Sequence, residues 1–63
     1  MLSAVDKNGE EFRVNDHVEW GGNIYTVLDI REREDGVFAL IHYPRKHGYT
    51  FWKPVDQLET INL

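Results

Sequence analysis

Val37-Phe38-Ala39-Leu40-Ile41-His42-Tyr43-Pro44-Arg45-Lys46-His47-Gly48-Tyr49-Thr50-Phe51-Trp52-Lys53-Pro54-Val55 is the stretch that decides the fold. Val37, Ala39, Ile41 and Tyr43 fall on one side of an extended chain and Phe38, Leu40 and His42 on the other, the two-residue period of a strand. Pro44 has no N–H to give to a ladder and ends that strand. Arg45 to Gly48 makes the connection. Tyr49 to Lys53 returns as a second strand, with Tyr49, Phe51 and Lys53 opposite Thr50 and Trp52. Pro54 stops it, the next four residues leave room for one 3-10 turn, and Glu59-Thr60-Ile61 reads as a closing strand.

Upstream, His17 to Trp20 forms a short strand that Gly21-Gly22-Asn23 turns back, since glycine enters positive φ without a Cβ clash. Ile24 to Ile30 is the next strand, with Ile24, Thr26, Leu28 and Ile30 on one face and Tyr25, Val27 and Asp29 on the other. Its nearly continuous apolar character predicts a curled strand carrying a bulge, because a flat, half-exposed strand alternates more cleanly. Arg31 to Gly36 alternates in charge and ends in Asp-Gly, the solvated tip of a hairpin. Residues 1–11 are polar, with a turn at Asn8-Gly9, and read as a flexible tail; residues 12–63 read as one domain. The expected fold is all-β: a small barrel of about five short antiparallel strands, closed or nearly so to protect its edges, with a 3-10 turn before the last strand. The expected core is Val14, Val18, Leu28, Ile30, Trp52, Val55, Leu58 and Ile61, together with Ile24 or Val27 and Leu40 or Ile41.

At 63 residues the chain buries little surface and makes a modest core unless it self-associates. It has no cysteine, which excludes a disulfide framework, a thiolate metal site and thiol chemistry and suits a reducing compartment. No apolar run approaches the roughly 20 residues that span a bilayer, and the N-terminal residues lack the pattern of a secretory signal. The expected location is the cytoplasm, with no membrane partner.

The net charge of −4 is unevenly spread. Residues 1–35 hold four basic and nine acidic side chains, residues 36–55 three basic and none acidic, and residues 56–63 two acidic. A basic patch on an otherwise acidic surface follows, and five of the eight aromatic residues lie in the same stretch. Tyr25, Tyr43, Arg45, Lys46, Tyr49, Phe51 and Lys53 are therefore the expected binding residues, forming an aromatic and basic patch for a peptide, a protein surface or further copies of the chain. Single-stranded nucleic acid is the alternative, with bases on Tyr49 or Phe51 and phosphates on Arg45, Lys46 and Lys53; the acidic remainder opposes it.

Val18-Glu19-Trp20, Gly21-Gly22-Asn23-Ile24-Tyr25-Thr26-Val27, Phe38 to Tyr43 and Phe51 to Leu58 together resemble SH3-like barrels of the Tudor and chromo-barrel kind, over about residues 12–61. His42-Tyr43 is similar to the end of a chromo-barrel strand, and Tyr25 to an early aromatic of its methyl-lysine cage. Pro44-Arg45-Lys46 stands where that family has Gly-Trp, and Lys53 sits beside the expected cage tryptophan, where a cation opposes a cation cage. The segment from Pro54 to Asn62 resembles the end of the small plasmid-borne dihydrofolate reductases, tetrameric SH3-like barrels. Thr50-Phe51-Trp52-Lys53 replaces the pore-lining Val-Gln-Ile-Tyr of that family, so the resemblance implies the barrel without the catalytic surface. Small docking subunits of photosynthetic electron-transfer complexes share the barrel too, without a distinguishing residue here. Such barrels serve many roles, so the likeness speaks to fold rather than function.

No catalytic motif stands out. His17, His42 and His47 lack metal-ligand spacing, Ser3, Thr26, Thr50 and Thr60 lack a neighbouring base motif, and Gly21-Gly22 lacks the pattern of a phosphate loop. The expectation is a non-enzymatic protein without cofactor or metal. Trp20 and Trp52 are expected to pack together, as are Phe12 and Phe38.

Overall fold

The computed structural model describes residues 2–62. Seven strands follow in order: β1 (Ser3–Val5), β2 (Glu11–Arg13), β3 (His17–Trp20), β4 (Asn23–Arg33), β5 (Gly36–His42), β6 (Thr50–Pro54) and β7 (Glu59–Ile61). A 3-10 turn, Val55–Gln57, precedes β7, where the sequence leads one to expect it. The fold is all-β, in two antiparallel sheets: β1 pairs with β2, and the other five strands run in the order β6-β5-β4-β3-β7. The larger sheet is open, with β6 and β7 as its outer strands and no ladder between them. The expected all-β class is borne out; the barrel, expected closed or nearly so, is not closed, and a separate two-stranded sheet accompanies the five-stranded one.

Turn chemistry explains the meander. Trp20 pairs with Asn23, leaving Gly21 and Gly22 as a two-residue loop with φ of 60° and 85°, the doubly positive turn that matches strand twist. On the next hairpin Arg33 pairs with Gly36, so the charged pair Glu34 and Asp35 sits at the exposed tip. Asn15 is the one described non-glycine residue at positive φ, 78°. Its N–H donates to the Val27 carbonyl (2.8 Å), and the Val27 N–H donates to the Asp16 carbonyl (2.9 Å), docking the turn after β2 onto β4.

The bulge lies at Leu28. Val27 faces Ile41 and Asp29 faces Leu40, which leaves Leu28 without a cross-strand partner. The inward face of β4 is consequently Tyr25 and Val27 before the bulge and Ile30 after it. Leu28 is 42% exposed, contrary to the sequence reading, and of the alternatives Ile24 and Val27 it is Val27 that is buried. The strand keeps residues on both sides of the bulge in the core at the expense of strict alternation. β5 has no such interruption: Ala39 and Ile41 are fully buried and Val37 packs beside them.

Phe12, Val18, Tyr25, Val27, Ile30, Ile41 and Leu58 form most of the core, with Ala4 and Ala39. Val14 and Val55 are only partly buried against it, and Ile61 is half-buried. Trp52, expected inside, pairs with Leu40 on the opposite face of the sheet. Residues 3–11, expected within a tail, instead form β1 and its turn into β2, with Ala4 buried. Met1 lies outside the described residues.

Asp6 anchors that turn and is 6% exposed. Its Oδ1 accepts the N–H groups of Asn8 (2.8 Å) and Glu10 (2.9 Å), and its Oδ2 accepts that of Thr60 on β7 (2.7 Å). The Lys7 N–H donates to the Leu58 carbonyl at 3.0 Å. Burial opposes the charge on Asp6, but the converging N–H groups outweigh it and hold the pKa at about 2.

Candidate functional site

The core-facing side of β6 meets the end of β3 in an aromatic series. Phe51 lies opposite the buried Ile41, which turns its ring inward. There it stands 5.6 Å from Trp20, 5.6 Å from Tyr25 and 5.3 Å from Tyr49, centroid to centroid. Tyr43 continues the series, 5.5 Å from Tyr25 and 6.1 Å from Tyr49. Most of these contacts are edge-on or tilted, as ring quadrupoles prefer. The series grades outward: Tyr25 is 2% exposed, Tyr43 and Phe51 are half-buried, and Tyr49 is 44% exposed.

Two lysines finish this surface. The Lys53 Nζ lies 4.2 Å from the Trp20 centroid and 5.7 Å from that of Phe51. The Lys46 Nζ lies 5.4 Å from the Tyr49 centroid. A ring face attracts a cation but does not neutralise it. Among the described residues no carboxylate lies within ion-pair distance of Lys46, Lys53 or Arg45. Trp20, Tyr49, Thr50, Phe51 and Lys53 line an open cleft of about 290 Å³.

Six of the seven residues expected to bind thus reach the surface at this end of the sheet, in two places. Tyr49, Phe51 and Lys53 line the cleft, with Lys46 on the Tyr49 ring. Arg45 and Tyr43 line a neighbouring hollow with Pro44, Asn23 and Ile24. Tyr25 belongs to the core and supports the other rings from below. Sequence reasoning missed Trp20, which it paired with Trp52; here Trp20 packs on Tyr25 and Phe51. The two-glycine turn after Trp20 was a signal of its place at a sheet end, but nothing local pointed to β6.

A second aromatic group occupies the opposite face. Arg31 and Arg33 lie with their guanidinium carbons 5.8 and 5.5 Å from the Trp52 centroid, and Arg33 is also 5.7 Å from that of Phe38. These arginines were read as the solvated end of a hairpin. Their two-residue spacing places both on the face that carries Phe38 and Trp52. Phe38 is therefore remote in role from the buried Phe12, with which it was expected to pack.

Asp29 accepts the Ile30 N–H at 2.8 Å and pairs with the Arg31 Nε at 3.3 Å. His42 is half-buried, with Nδ1 lacking a hydrogen-bond partner among the described residues. No group of three or more His, Asp or Glu among them is placed to hold a metal ion. No helix among them is long and apolar enough to cross a membrane. Compared with known proteins, the chain matches no family model, no curated protein and no solved structure.

Proposed function

We propose that this chain is a small, non-catalytic interaction module that binds a peptide or protein surface through Tyr49, Phe51 and Tyr43 with Lys46, Lys53 and Arg45. The observation that carries this reading is an exposed tyrosine continuous with a packed aromatic series and flanked by lysines that have no carboxylate partner among the described residues. Rings held by their neighbours lose little freedom when a partner covers them, and aromatic anchors ringed by polar groups carry much of the energy of protein interfaces. An SH3-like architecture is part of the proposal, supported by the curled, bulged sheet and the 3-10 turn before the last strand. A reducing, cytoplasmic setting agrees with the absence of cysteine.

The test is selection of peptides from a random display library on the immobilised protein, followed by affinity measurement against Tyr49→Ala and Lys53→Glu. Selected peptides should lose about tenfold or more in affinity with either variant, as expected for anchors of an interface. Peptides that bind both variants as well as the parent would remove this surface from the binding site. Salt-sensitive binding of oligo(dT), lost with Lys46→Glu, would transfer the surface to the nucleic-acid reading.

A further inference from the structure

The phase of the β5–β6 ladder determines which backbone groups of β6 are free. The Tyr43 N–H donates to the Tyr49 carbonyl at 3.0 Å, and the register continues through His42↔Thr50, Ile41↔Phe51, Leu40↔Trp52 and Ala39↔Lys53 to Phe38↔Pro54. Bonded and non-bonded pairs alternate in an antiparallel ladder. Phe51 and Lys53 therefore bond to β5, while Thr50, Trp52 and Pro54 turn their backbone groups the other way. Pro54 fits this phase, since its missing N–H removes nothing from the β5 ladder. Beyond that edge, no strand among the described residues pairs with β6.

The other outer strand is treated differently. On β7 the Thr60 N–H is taken by the Asp6 carboxylate and the Leu58 carbonyl just before the strand is taken by Lys7. One margin of the sheet is thus capped and the other left open. The open one runs between the two aromatic groups, with Phe51 and Lys53 on one face and Trp52, Arg31 and Arg33 on the other.

We infer that β6 receives an extended acidic peptide as a sixth strand, paired through the N–H and carbonyl groups of Thr50 and Trp52. This rests on the interaction-module reading and specifies its ligand and mode. Alternate side chains of an added strand fall on opposite faces. Apolar ones would enter the cleft beside Phe51, Trp20 and Tyr49. Carboxylates between them would meet Arg31 and Arg33 around Trp52, with Lys46 and Lys53 adding to the positive field. Charge selects this occupant over a second copy of the chain. Two β6 strands paired about Trp52 would bring Lys46, Lys53, Arg31 and Arg33 of both copies together, and each Pro54 would fail to donate.

The test uses a capped ten-residue peptide alternating glutamate with valine, with one central phenylalanine, and two versions N-methylated at every second residue, on odd or on even positions. Methylation removes backbone donors and keeps every side chain. Isotope-labelled protein is titrated with each at neutral pH while amide exchange is followed. The parent peptide should slow exchange at Thr50 and Trp52. One methylated version should bind about tenfold or more weakly and the other within about twofold, because only one set of N–H groups faces β6. A lysine-for-glutamate peptide should not bind. Equal binding of both methylated versions, together with loss of binding in Tyr49→Ala, would overturn strand addition while leaving the aromatic surface as the site. No binding of the glutamate peptide would overturn the inference and leave the surface to be judged by the library selection. Slow exchange at Thr50 and Trp52 without peptide, accompanied by a concentration-dependent dimer mass, would assign the edge to a second copy and overturn it too.

Discussion

The Nζ of Lys53 stands 4.2 Å from the centroid of Trp20, joining β6 to β3 although β5 and β4 separate these strands in the sheet. Lys53 lies opposite the fully buried Ala39, so its methylene stem covers the core and its ammonium reaches the rim. Lys53→Ala should lower stability by about 1–2 kcal/mol through lost cation–π contact and stem packing, and Lys53→Arg should restore most of it. Urea unfolding checks the size. Trp20 emission, isolated in a Trp52→Phe background, should report the lost contact in the alanine variant.

The bulge makes adjacent apolar residues of β4 unequal. Leu28→Ala should cost no more than about 1 kcal/mol, because the side chain is 42% exposed and has no cross-strand partner. Ile30→Ala, removing a side chain that is 2% exposed, should cost about 3 kcal/mol. Denaturation midpoints of the two variants decide the register: equal losses would place Leu28 inside.

Asp6 links stability to acid. Its pKa is lowered from 3.8 to about 2 in the fold, so its contribution is complete above 3.8 and fades as pH falls through about 2. The difference amounts to roughly 2 kcal/mol. Asp6→Asn should lose on the order of 2 kcal/mol at neutral pH, since the amide nitrogen cannot accept a hydrogen bond. It should also flatten the dependence of stability on pH in that acidic window, as read from thermal unfolding at a series of pH values.

Asn15 at φ 78° predicts a sharp rank order. Asn15→Gly should be close to neutral, whereas Asn15→Val should cost about 1–2 kcal/mol, because a branched side chain is strained in left-handed backbone. Thermal melts of the two proteins provide the comparison.

Legibility in the sequence followed the regularity of each strand. β5 alternates without a break, so its two faces were readable directly, though not whether the face of Ile41 or that of Leu40 turns inward. On β4 the bulge was foreseeable from the mixed pattern, but not its position, and one displaced residue exchanges the faces: Leu28 lies outside, Tyr25 inside, and the choice between Ile24 and Val27 falls to Val27. β1 stayed hidden because three residues give almost no period, and its turn is held by a carboxylate, which carries no apolar signal. The aromatic stretch and its cations were visible as composition. That Trp20 joins them, and that Trp52 belongs with Arg31 and Arg33, depends on registers across three strands.

The carboxylate of Asp6 and the N–H of Thr60 are 54 residues apart in the chain, which bears on kinetics. The hairpins β3–β4 and β4–β5 close over a few residues and can form early, whereas this contact must close a loop nearly the length of the protein. It therefore belongs among the last contacts made and the first released. Loss of such a late contact should leave the folding rate nearly unchanged and raise the unfolding rate, so Asp6→Asn should shorten the lifetime of the native state, which stopped-flow refolding and unfolding would show.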